Sequence, residues 1–228
     1  MFACLALVAL ALSPGDSTVV VSSSFSSSSS SSASVLVPGP GPLASVDPVA
    51  ALPVAASSAS APAQSAAPDA GLGAIFARHG VDGGLWVENL AGTEVHSWRP
   101  KACEQGFLPA STFKILNSLI ALEVGAVADV DEELAWDGVD RGWTEWNRDH
   151  SMRTAIRVSA VWFYQELARR VGAERMRELV AKAGYGNRDV AGAIDTFWLD
   201  GAIRITPREQ VAFLERLYRG DLPFREEH

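Results

Sequence analysis

The uninterrupted serine run Ser26–Ser32 lies in a tract, residues 13–70, made largely of Ser, Ala, Pro and Val. Such a tract cannot bury enough apolar surface to offset the chain entropy lost on folding, so it reads as a disordered linker. A core must come from residues 71–228, where the composition changes at Gly71. That leaves room for one domain. Ahead of the tract, residues 2–12 are nearly all apolar. The run is too short to span a bilayer and suits the apolar stretch of a secretory signal, although no Lys or Arg precedes it. The expectation is a periplasmic or secreted protein with no stable membrane span.

Within 71–228, apolar periodicity and punctuation predict the elements. Leu72 to His79 reads as a short helix stopped at Gly80. Gly84–Asn89 and Thr93–Trp98 read as two strands joined at Ala91-Gly92, a hairpin. The stripe Ile115, Leu116, Leu119, Ile120 and Leu122 predicts a helix opening at Ser111 and ending near Gly125. Trp136-Asp137-Gly138 marks a turn, and Trp146 to His150 a loop feeding a helix capped by Asp149 or Ser151. Ser159–Val171 and Glu174–Ala183 are helical in pattern, and Thr206-Pro207-Arg208-Glu209 is a capping box that opens a helix running to Gly220. A two-stranded hairpin is marginal alone, so this one needs further strands.

Composition removes several classes of function. A formal net charge of −8 argues against a nucleic-acid partner. Of the two cysteines, Cys4 lies in the leader region, which leaves Cys103 without an internal disulfide partner. His79, His96, His150 and His228 form no H-E-x-x-H arrangement and the cysteines no C-x-x-C, so no metal is expected.

Chemistry concentrates at Pro109-Ala110-Ser111-Thr112-Phe113-Lys114. If a helix starts at Ser111, Lys114 lies on the same face about one turn on. A serine hydroxyl is a weak nucleophile until its proton is removed, and a neighbouring lysine can remove it provided it is not a solvated ammonium. The backbone N–H groups of a helix start favour developing negative charge. S-x-x-K arises roughly once by chance in a chain of this length, so the pair gains weight only from what accompanies it.

Three further motifs accompany it: Ser159-Ala160-Val161, Tyr185-Gly186-Asn187 and Phe197-Trp198-Leu199. Their order and spacing resemble the class D (oxacillinase-type) serine β-lactamases, with Trp136-Asp137-Gly138, Trp146-Asn147 and the run Val161 to Gly172 in support. The likeness covers about residues 72–220. It implies an α+β fold of the serine β-lactamase and penicillin-binding-protein kind, an antiparallel sheet flanked by helices with a helical subdomain. It implies hydrolysis of β-lactam antibiotics, with Ser111 as the acylated nucleophile. Lys114 would be the general base, its amine carbamylated by carbon dioxide (N6-carboxylysine). Ser159 would relay a proton to the leaving nitrogen, Trp198 would hold the carbamate, and Val161 would wall the lysine pocket. Ser111 and Ser159 would meet the substrate, with no metal and no other cofactor.

The residues suit that chemistry. Carbamylation requires a neutral amine, hence a desolvated lysine, and Phe113, Val161, Trp198 and Leu199 could dry its pocket. The indole N–H of Trp198 is a donor for a buried anion. Taken without the resemblance, Val161 and Leu199 are packing residues, Tyr185-Gly186-Asn187 is a turn, Asp137 and Asp149 are turn and cap residues, and Ser159 is a helix cap.

The chain also departs from the family pattern. No K-[ST]-G follows, since Lys101 and Lys182 lack the Ser/Thr-Gly, and the arginine beyond that motif has no counterpart. Only the first hairpin of the sheet is legible, so the C-terminal strands are expected to be missing and the chain to be poorly folded and inactive as written. The alternatives to a hydrolase are a β-lactam-sensing or penicillin-binding domain that acylates without turnover, and an inactive fragment. The oligomeric state is left open.

Overall fold

The computed structural model describes residues 19–25, 69–80 and 82–228. The apolar run 2–12 and most of the serine-rich tract lie outside them. Asp69 caps the folded part: its carboxylate accepts from Gly71 N at 2.8 Å and Leu72 N at 3.3 Å. It opens α1 (Ala70–His79), which ends at Gly80 in the left-handed region. Strands β2 (Gly83–Asn89) and β3 (Val95–Trp98) pair antiparallel, Leu85 opposite Trp98 and Glu88 opposite Val95. Asn89 Oδ1 closes their turn by accepting from Thr93 N and Glu94 N.

The third strand corrects the expectation of a lone hairpin and of a linker throughout 13–70. Strand β1 (Val19–Phe25) pairs antiparallel with the other edge of β2, from Val19 opposite Asn89 to Phe25 opposite Gly83. Val19-Val20-Val21 is a β-branched run suited to a ladder, and pairing satisfies backbone groups that an open edge leaves free. A helix covers this sheet: α7 (Pro207–Arg219) packs against β1 and β2. It opens with the expected capping box, Thr206 Oγ1 accepting from Glu209 N at 3.1 Å and Glu209 accepting from Thr206 N at 2.8 Å.

The helical part is built around one buried helix. A 3₁₀ turn, Ala110–Thr112, runs into α2 (Phe113–Glu123), whose C-cap Val124 is followed by left-handed Gly125. The helix expected from Ser111 thus begins with a tighter turn. A two-residue ladder, β4 (Glu133–Leu134) with β5 (His150–Ser151), leads into α3 (Met152–Val158), with Ser151 as N-cap. The helix expected from Ser159 begins instead at Val161: α4 (Val161–Val171) packs on α2, and α5 (Ala173–Ala183) follows after Gly172. Ser159 sits between α3 and α4 at φ 54°. Among the described residues no helix is long and apolar enough to cross a membrane. The architecture is α+β, rich in helix with small antiparallel sheets.

Aromatic packing joins these parts. Phe113 stacks on Trp198 of α6 (Phe197–Asp200) at 5.4 Å between ring centroids and meets Phe197 edge-on at 5.0 Å. Tyr185 meets Phe113 edge-on at 5.8 Å and Phe213 of α7 at 5.0 Å, while its hydroxyl donates to buried Gln210 at 2.8 Å. Asn187 receives Arg204 N at 3.0 Å and donates to Ala202 O at 3.0 Å. The Tyr-Gly-Asn motif is therefore a structural clasp, as a turn reading expects. Gly186 is required in it: φ is 52°, and a Cβ would sit 2.1 Å from Arg204 O. Gly186→Ala is expected to cost roughly 2–4 kcal/mol in urea unfolding, whereas Gly220→Ala should cost only about 1 kcal/mol, since Gly220 has positive φ but nothing near its would-be Cβ.

Candidate active site

Three side chains converge at the start of α2. Ser111 lies in the 3₁₀ turn and Lys114 one turn on, so Nζ reaches Ser111 Oγ at 2.9 Å. Ser159 arrives from the α3–α4 junction. Its hydroxyl accepts from Lys114 Nζ at 2.9 Å and donates to Ser111 Oγ at 3.1 Å. Of the five residues singled out by sequence for the site, the structure thus brings Ser111, Lys114 and Ser159 into one hydrogen-bonded triangle.

Lys114 is buried, 2% exposed. Among the described residues no carboxylate lies within ion-pair reach of its amine. Desolvation lowers its pKa from 10.5 to about 8, because burial penalises the charged form and nothing nearby compensates with opposite charge. The face of the Tyr164 ring lies near the amine, 5.6 Å from Nζ to centroid. Tyr164 is itself fixed through Ser118, whose hydroxyl reaches both Lys114 O at 2.9 Å and Tyr164 Oη at 3.3 Å. Sequence reasoning missed Tyr164. The signal was present, since it lies three residues after Val161 and shares its helix face.

Trp198 is fully buried and stacks on Phe113, the residue before Lys114. Its indole N–H has no hydrogen-bond partner among the described residues. A buried donor left unpaired is costly. Val161 is half-buried as the first residue of α4, two positions beyond Ser159, and Leu199 is half-buried on α6. The aspartates singled out as turn and cap residues are occupied elsewhere. Asp137 is held by Arg141 and lowered to about 2, chiefly by that hydrogen bond, and Asp149 accepts from Trp136 N at 2.8 Å. Among the described residues no cluster of His, Cys, Asp or Glu could hold a metal ion.

A serine within reach of a desolvated lysine, with a second serine touching both, is an arrangement that can support acyl transfer. Comparison with known proteins points the same way. Residues 59–222 match the penicillin binding protein transpeptidase domain. The chain is 48% identical over 138 residues to β-lactamase OXA-48 of Klebsiella pneumoniae, covering 60% of this chain and 51% of that one. It is 44% identical over 143 residues to the probable β-lactamase YbxI of Bacillus subtilis (strain 168), covering 63% and 54%. Among solved structures, the class D β-lactamase FUS-1 (OXA-85) of Fusobacterium nucleatum subsp. polymorphum superposes with a TM-score of 0.68 at 39% identity, over 71% of this chain and 67% of that one. The chain belongs to the penicillin binding protein transpeptidase domain family, in its class D β-lactamase branch. It spans about half the length of the curated relatives it matches.

The lowered pKa of Lys114 makes stability depend on pH. Below about pH 8 the folded state carries the buried charge and its full penalty. Between about 8 and 10.5 the unfolded chain binds more protons, so stability rises with pH. In buffer free of carbon dioxide, Lys114→Met should therefore raise the melting temperature at neutral pH. The gain is on the order of 3 kcal/mol from the charge alone and should shrink between about pH 8 and 10.5 and be gone above that. A gain independent of pH would show that the buried charge is not its source.

Proposed function

We propose that β-lactams acylate Ser111 and that the resulting ester is hydrolysed, making the chain part of a serine β-lactamase. The observation that carries this is the triangle of Ser111, Lys114 and Ser159 around an amine without a counter-ion. With a pKa near 8, roughly a tenth of Lys114 is neutral at pH 7, and the neutral amine takes the Ser111 proton as Oγ attacks the lactam carbonyl carbon. The Ser111 N–H lies in the first turn, where backbone donors lack intrahelical acceptors, and meets the developing oxyanion. Ser159, bonded to both other groups, passes the proton from the amine to the leaving nitrogen as the C–N bond breaks. The naming of the relatives as β-lactamases supports turnover over acylation alone. A periplasmic or secreted site of action belongs to the same proposal and draws on the apolar run 2–12.

A carbamate on Lys114 belongs to the same proposal. A desolvated, partly neutral amine is the form whose lone pair attacks the carbon of carbon dioxide, losing a proton as the N–C bond forms, and the unpaired indole N–H of buried Trp198 is a donor in want of an anion. When formed, the carbamate supplies an anionic base that persists through acylation.

Two measurements test this reading. Incubation with a chromogenic cephalosporin should give turnover and a mass adduct on Ser111, and Ser111→Ala should abolish both. An adduct on another residue, or none, would overturn the assignment. For the carbamate, carbon NMR with labelled bicarbonate should show a signal that Lys114→Ala removes, and Trp198→Phe should slow release of the acyl group roughly tenfold or more while changing its formation less. Equal loss in both steps would mean that Trp198 only packs.

A further inference from the structure

Ser159 is a non-glycine residue at φ 54°, a conformation that costs about 1–2 kcal/mol and persists only where the surroundings over-determine it. Its own N–H donates to Ile156 O at 3.2 Å and the next, Ala160 N, to Ala155 O at 2.9 Å. Those bonds close the end of α3. They leave the Val158 carbonyl, which belongs to the same peptide unit as the Ser159 nitrogen, without a helical partner. Trp146 supplies one: its indole N–H donates to Val158 O at 2.9 Å. The backbone of Trp146 is in turn pinned by a second indole, Trp162 Nε1 donating to Trp146 O at 2.8 Å. Trp162 is 4% exposed and lies against the ring of His150, itself fixed by Glu145 O at 2.9 Å and Thr154 Oγ1 at 3.0 Å.

We propose that Trp162 is a positioning residue for the acyl-transfer site. Its N–H fixes Trp146, the N–H of Trp146 fixes the 158–159 peptide plane, and that plane sets the φ of Ser159. Rotating the Val158 carbonyl towards another donor turns φ of Ser159 away from the left-handed region. The Ser159 hydroxyl then leaves Ser111 and Lys114. Trp162 touches none of the reacting groups and acts through two hydrogen bonds in series.

This inference rests on the reading of Ser111 as the acylated nucleophile, and a double-mutant cycle tests it. The rate of Ser111 acylation by benzylpenicillin is followed by mass spectrometry in the native chain, Trp162→Phe, Ser159→Ala and the double variant. Trp162→Phe should slow acylation about tenfold, the scale of one net hydrogen bond, with the half-saturating concentration little changed. In the Ser159→Ala background the same substitution should have no further effect, because the hydroxyl it positions is gone. Trp136→Phe also removes one indole bond, to Val139 O at 3.1 Å, and should leave the rate unchanged. Additive losses, or a native rate in Trp162→Phe, would overturn the relay. If Trp162→Phe does not fold, β-(3-benzothienyl)alanine in place of Trp162 keeps the ring shape without the N–H, and a native rate with it overturns the relay equally. A native chain that takes up no penicillin overturns the functional reading instead, and the catalytic consequence of the relay with it.

Discussion

Burial of the Lys114 amine beside Ser111 is the contact around which the helical part is arranged. An unpaired ammonium is expensive in a protein interior, and the expense is reduced by releasing the proton. Everything around Lys114 keeps to that solution. Phe113, its neighbour in the chain, stacks on Trp198, the Tyr164 face lies near the amine, and its polar side-chain partners among the described residues are two serine hydroxyls. A carboxylate at the same place would favour the charged form of the amine and raise its pKa.

The position of α2 follows from the same requirement. It carries the lysine on its first turn and is buried along nearly its whole length. A helix buried on most faces needs neighbours on most faces, and α4, α5 and the aromatic cluster of Phe197, Trp198 and Tyr185 supply them. The sheet bears on the site indirectly, through α7. That helix packs on β1 and β2, and its Phe213 and Gln210 hold Tyr185, which in turn meets Phe113. A route of packed rings therefore runs from the sheet cover to the residue beside the lysine.

What the sequence made legible was local. Helix ends at Gly80, Gly184 and Gly220 and the capping box at Thr206 are written in adjacent residues, and each lies where its chemistry predicts. The Ser111–Lys114 pair was legible because one helical turn sets its distance. The strand Val19–Phe25 was not, because three valines beside a serine run give no local sign of a partner more than fifty residues away. Ser159 was recognisable as a motif residue but not as the left-handed link between two helices, because serine seldom takes that conformation and a periodicity count runs straight through it. Tyr164 was hidden for the opposite reason: an aromatic residue on an apolar helix face looks like ordinary core.

Trp198 shows how one side chain meets two demands. Its ring stacks on Phe113, the residue before Lys114, and that role needs only a large flat apolar surface. Phenylalanine would meet it. Tryptophan brings a buried N–H as well, and in the fold as it stands that N–H is unpaired. Cores rarely keep an unsatisfied donor where an apolar ring of similar size would pack. A carbamate on Lys114, as proposed above, would be an acceptor for that atom. On that proposal, the lowered pKa of the lysine and the unpaired donor of Trp198 are both consequences of burial, one favouring a neutral amine and the other an added anion.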